Sequence, residues 1–214
     1  MVNRLKCAGL VAAIALSIGL GAADAATLSV SGGTPGSLGT DFNPSPGNGG
    51  LGFGSALRIF TAATGGSTGG GLMLSGPARV SYTFIGKEAG ALNHFIELTG
   101  GSSFNNVTGG ATGVARILSG FVPFAYRTDL SGNPTITNGG VSEFSELGLA
   151  FSKVFNGGKS VFALFDDGRT GTDSDYDDMI VRIDVAAVPL PAAGLLLLAA
   201  LGGVAALRRR VTFG

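Results

Sequence analysis

The chain predicts an all-β fold, a two-layer antiparallel β-sandwich of jelly-roll-like kind. Three observations carry this. Glycine accounts for 38 of 214 residues, more than twice the usual ~7%, and each glycine inside a helix costs about 1 kcal/mol relative to alanine. The aromatic residues are mostly Phe, 14 of them with no Trp, on short runs rich in β-branched residues. Gly-rich segments at 47–54, 65–71, 100–101, 109–110 and 139–140 separate those runs at the intervals of strands and turns. No repeat of fixed period is present, which disfavours a solenoid or propeller.

Taken in order, the first strand is expected at Thr27 to Val30 and the second at Ala56 to Ala62. Between them, residues 34–54 carry Pro35, Pro44 and Pro46 among many Gly and Ser, and read as a long loop or exposed arm. Arg79 to Phe84 alternates cleanly. Val80, Tyr82 and Phe84 point one way and Arg79, Ser81 and Thr83 the other, the pattern of a half-buried strand. Further strands are expected at His94 to Leu98, Val114 to Leu118 and Phe121 to Arg127. Val161 to Phe165 is apolar throughout, as in a central strand covered on both faces. In Met179 to Val185, the residues Met179, Val181, Ile183 and Val185 oppose Arg182 and Asp184.

Both ends read as sorting segments. Residues 1–25 form a signal peptide: Arg4 and Lys6 precede an apolar stretch from Ala8 to Leu20, and Ala23-Asp24-Ala25 is an A-x-A site that predicts cleavage by signal peptidase after Ala25. Cys7 precedes the apolar stretch and leaves with it. The mature chain then has no cysteine and no disulfide framework. At the other end, Val188-Pro189-Leu190-Pro191-Ala192 leads into an apolar run ending at Leu207, followed by Arg208-Arg209-Arg210. Residues 192–207 would make roughly 24 Å of helix at about 1.5 Å per residue, a marginal membrane span. The arginines would hold the cytoplasmic side. The domain between, residues 26–187, is of a size for one core.

This tripartite tail, residues 188–214, resembles the C-terminal sorting signal of PEP-CTERM proteins in its VPLPA variant. The resemblance implies processing near the Pro motif by the membrane-embedded exosortase, delivery to the cell surface or extracellular matrix, and a role beside extracellular polysaccharide. Hydropathy alone is equally met by a plain single-pass anchor. Both readings place the domain outside the cytoplasm.

Without the two ends, residues 26–189 hold 9 basic and 13 acidic residues. A mildly acidic domain without a basic stripe argues against nucleic acid as a partner. Six acidic residues, Asp166, Asp167, Asp173, Asp175, Asp177 and Asp178, crowd between two of the best strands. Their mutual repulsion calls for a cation, and outside the cell Ca2+ fits, taking six to eight oxygen ligands in flexible geometry. Asp173-x-Asp175-x-Asp177 opens like an EF-hand loop, but Asp178 stands where Gly is needed and no helix flanks it. The alternative is a solvated turn whose Asp side chains cap backbone N–H groups. Phe162 to Gly168 with Asp173 to Val181 resembles the terminal hairpin of an uncharacterised domain of bacterial surface proteins, with Asp177 where that pattern more often has Asn.

Catalytic signals are poor, and the chain reads as non-enzymatic. Gly65-Gly66-Ser67-Thr68-Gly69 satisfies the nucleophile-elbow expression but lies in a Gly/Ser/Thr tract with no helix following. The one histidine, His94, cannot make a multi-His zinc site. Glu97, Glu143 and Glu146 could include a glycosidase pair, whose spacing is invisible in sequence. Asn106-Val107-Thr108 matches a glycosylation sequon and reads as loop. The leading expectation is an exported surface or matrix protein with a Ca2+-stabilised sandwich. The alternative is a secreted carbohydrate-binding module or hydrolase on the same scaffold, with Tyr82, Tyr126 and Tyr176 as remaining aromatic platforms.

Overall fold

The computed structural model describes residues 26–61, 67–88, 90–117, 119–142, 144–168, 175–188 and 200–202. These fold almost entirely as antiparallel β-structure. The strands are β1 (Leu28–Ser31), β2 (Thr34–Ser37), β3 (Ala56–Thr61), β4 (Gly71–Leu74), β5 (Ala78–Gly86), β6 (Asn93–Glu97) and β7 (Ser103–Asn105). There follow β8 (Ala111–Ile117), β9 (Gly120–Phe121), β10 (Phe124–Thr128), β11 (Thr135–Thr137), β12 (Gly148–Ser152), β13 (Ser160–Asp166) and β14 (Met179–Ala187).

One seven-stranded sheet runs β2-β3-β12-β13-β14-β5-β8; a four-stranded sheet runs β11-β10-β6-β7 and a three-stranded one β1-β4-β9. Asn138 joins the two smaller sheets. Its buried amide accepts from Leu72 N–H at 2.8 Å and donates to the carbonyls of Leu72 at 2.9 Å and Val122 at 2.8 Å.

The main core lies between the large sheet and the small ones. From the large sheet come Phe60, Val80, Tyr82, Leu149, Phe151, Val161, Phe165, Val181 and Ile183; facing them are Leu28, Leu72, Phe95, Phe124, Tyr126 and Ile136. Aromatic rings bridge the layers. Tyr126 stacks on Phe165 at 4.9 Å and 3°, and Tyr82 packs on Phe95 at 4.8 Å. The Tyr126 hydroxyl donates to Ala163 C=O at 2.9 Å, and burial pushes it well above its ordinary pKa.

β13 stands at the centre of the large sheet, and its seven residues are all buried. Its two faces feed two cores. Val161, Ala163 and Phe165 enter the main core, while Phe162 and Leu164 enter a second one with Leu38, Leu57, Ala150, Tyr176 and Ile180. Phe42 and Leu51 pack onto this second core. The stretch expected as a long loop or exposed arm at 34–54 is a loop over residues 38–54, and is corrected at its start and in its packing. Thr34–Ser37 pairs with β3 as an edge strand, and residues 38–54 lay apolar side chains on the sheet's outer face.

The expected strand Phe121 to Arg127 is split into β9 and β10 around Val122-Pro123, because Pro has no N–H for a continuous ladder. The strands at Thr27, Ala56, Arg79, His94, Val161 and Met179 stand within a residue or two of expectation at their starts, and β8 begins three residues before Val114. The signal peptide and its Ala23 and Ala25 lie outside the described residues. So do Pro189, Leu190, Pro191, Ala192 and Arg208 to Arg210. Within 192–207 only residues 200–202 are described, and they are helical. Among the described residues no helix is long and apolar enough to cross a membrane.

Candidate functional site

The acidic segment joins β13 to β14 at one end of the large sheet. Asp166 ends β13, and Asp175 to Asp178 form the turn that enters β14. Tyr176 makes the turn possible. It adopts φ +64°, a left-handed conformation uncommon outside Gly, Asn and Asp, and buries its ring in the second core. Gly148 on β12 gives that ring room: a Cβ there would lie 2.7 Å from Tyr176 Cε1 and 3.0 Å from Asp166 Cβ.

The carboxylates separate into two groups. Asp175, Asp177 and Glu88 each offer one oxygen, all within 4.8 Å of one another, an arrangement able to hold a metal ion. Asp177 is 1% exposed and accepts from Asn43 N–H at 2.6 Å, and Asp175 Oδ1 accepts from Asp177 N–H at 3.3 Å. Glu88, just past β5, is placed by its N–H donating to Asp177 C=O at 2.8 Å. The second group is Asp166, Asp167 and Asp178. Asp178 Oδ2 accepts from Asp167 N–H at 2.6 Å, and Asp167 Oδ2 accepts from the amide of buried Asn93 at 3.0 Å. The six aspartates expected on one ion are therefore not all gathered together. Asp173 lies outside the described residues.

Electrostatics follow from this crowding. Burial, then the charges of Asp178 and Asp175, push the Asp166 carboxyl up to about 7. Burial raises Asp177 well above the carboxylate range as well; the Asn43 N–H opposes the rise, and Asp175 and Glu88 add to it. A cation would relieve both, since each rise reflects charge that water no longer screens.

Glu88 is the residue that sequence reasoning missed. It stands 87 positions before Asp175, brought there by β5 pairing with β14. Continuing the β5 alternation past Gly86 would have placed Lys87 and Glu88 beside the entry to β14.

The catalytic candidates resolve otherwise. Glu97 is fully buried and accepts from Thr99 N–H at 2.6 Å, from the Thr99 hydroxyl and from Gly100 N–H, so it caps a tight turn. His94 Nε2 lies 3.1 Å from Asp129 Oδ1, at a strand as expected. After Ser67 and Thr68 the chain enters strand β4 rather than a helix, which removes the nucleophile elbow. Asn106 of the sequon sits in a turn, but its side chain is buried and donates to Ala91 C=O at 2.9 Å. Glu146 is exposed, and Glu143 lies outside the described residues. Tyr82 and Tyr126 are buried in the core and Tyr176 is 7% exposed, so none offers an open aromatic platform.

A scan against protein-family models finds no match to the chain. Searches among curated proteins and among solved structures likewise find no match.

Proposed function

We propose that this is an exported, non-enzymatic surface or matrix protein whose jelly-roll-like sandwich is locked by Ca2+ at Glu88, Asp175 and Asp177. The single observation that supports it most is the convergence of these three carboxylates, from two distant segments, beside the partly buried Asn43–Asp177 bond. Three carboxylates supply charge and part of the six to eight oxygens that calcium takes. The export reading rests on the Ala23/Ala25 cleavage site, the Val188 to Ala192 motif and the Arg208 to Arg210 cluster. Exosortase would release the domain, and extracellular polysaccharide would be its surroundings.

Isothermal titration of the metal-stripped full chain with Ca2+ tests the site. One ion per chain is expected, with a dissociation constant in the range of about 10⁻⁴ to 10⁻³ M found for extracellular modules. No heat of binding up to 10 mM would remove the calcium reading.

A further inference from the structure

Away from the acidic turn, two depressions of about 520 and 410 Å³ meet at the end of β12. They share Ala56, Ser152 and Lys153, so they form one groove bent around the sheet edge. One arm opens between the layers past Arg58 and Pro35; the other runs under Gly49 to Leu51 along Phe155 and Phe162. Each arm has the volume of a small-ligand site.

The lining is cationic in a domain that is otherwise acidic. Arg58 and Lys153 are both exposed, and no described carboxylate lies within ion-pair distance of either. They stand on neighbouring strands, Arg58 opposite Phe151 and Lys153 just beyond the end of β12. Phe155 and Phe162 stack at 5.2 Å along one arm, and on the loop rimming it Phe53 is 78% exposed.

We propose that this groove binds a carboxylated polysaccharide, its carboxylates meeting Arg58 and Lys153 and the apolar C–H face of a sugar ring resting on Phe53. Arg pairs a carboxylate in bidentate fashion and Lys as a point charge. A sugar chain suits the open backbone of Gly49, Gly50 and Gly54 along one arm, while the Ser152 hydroxyl at the bend is already engaged, donating to Lys153 C=O and accepting from Phe162 N–H. An acidic peptide fits less well. It would draw affinity from main-chain pairing with the free edge of β2, and that edge is four residues long and interrupted by Pro35. The proposal is independent of the cation site.

The test is affinity electrophoresis of the full chain in detergent with EDTA present, so that calcium cannot bridge polymer and protein. Polygalacturonate should retard the chain, while dextran and polyglutamate should not. Arg58→Ala with Lys153→Ala should weaken retardation at least about tenfold, as the loss of two charge-assisted contacts implies, with the melting temperature unchanged because both side chains are exposed. Arg58→Lys with Lys153→Arg should keep most of the binding, and Phe53→Ala should reduce it. Equal retardation by polyglutamate, or full binding by the double alanine variant, would overturn the proposal.

Discussion

Asn43 donates its backbone N–H to Asp177 Oδ2 at 2.6 Å across 134 residues of sequence. The bond ties the segment that covers the outer face of the large sheet to the turn that carries the acidic cluster. Ser45 and Lys87 reinforce it with a reciprocal pair at 2.7 and 2.8 Å. Charge at the cluster and closure of the second core are therefore coupled.

The first prediction follows from that coupling. Asp177→Ala takes the acceptor from a partly buried hydrogen bond at the exposed Asn43, a loss of about 1 kcal/mol. Asn43, Ser45 and Lys87 should then exchange their amide hydrogens faster than in the parent chain, while β13 keeps its protection. Hydrogen exchange read by mass spectrometry checks this. Unchanged exchange at Asn43 would show that the covering segment is held elsewhere.

The second concerns pH. Asp166 titrates at about 7 in the folded chain against about 4 when unfolded. Between those values the folded state holds a proton that the unfolded state has released, so stability is greatest at the acid end and falls as pH rises. Asp177 shifts in the same direction. In EDTA the melting temperature should therefore be higher at pH 5 than at pH 8, and calcium should flatten that slope. A melting temperature that rises from pH 5 to pH 8 in EDTA would contradict these shifts.

The third tests the junction of the small sheets. Asn138→Ala removes one acceptor and two donated bonds from buried partners at Leu72 and Val122. At about 1 kcal/mol or more for each, urea denaturation should report a loss of about 3 kcal/mol. A loss below about 1 kcal/mol would mean that the partners find other bonds.

The fourth uses Gly148. Alanine there meets the ring of Tyr176 and the Cβ of Asp166, so the turn must shift to accommodate it. Calcium affinity should drop severalfold although no ligand has changed. Equal affinity in a calorimetric titration would detach Tyr176 from the site.

Much of this was legible in the chain, and the exceptions have physical causes. Alternation in Arg79 to Phe84 and the unbroken apolar run Val161 to Phe165 announce one half-buried and one central strand, and β5 and β13 are those strands. β12, Gly148–Ser152, escaped because Gly, Leu, Ala, Phe and Ser show no period when both faces are buried. β2 escaped because its Pro and Gly read as loop, yet an edge strand tolerates both. Leu38, Phe42 and Leu51 are isolated apolar residues whose common target appears only once the sheet exists. At the site, local density found Asp175 and Asp177, and only long-range pairing adds Glu88. The same pairing splits the aspartates into two groups that sequence proximity merges.

Calcium dependence of the melting temperature tests the central claim most directly. By differential scanning calorimetry of the metal-stripped chain, calcium at ten times its dissociation constant should stabilise by about 1.4 kcal/mol, a rise of roughly 3 to 5 °C for a domain of this size. Asp175→Asn with Asp177→Asn should abolish the rise while leaving the chain in EDTA no less stable, since repulsion is removed and Asn43 keeps an oxygen acceptor. A parent chain whose melting curve is the same in EDTA and in millimolar calcium would contradict the account and leave this turn held by its hydrogen bonds alone.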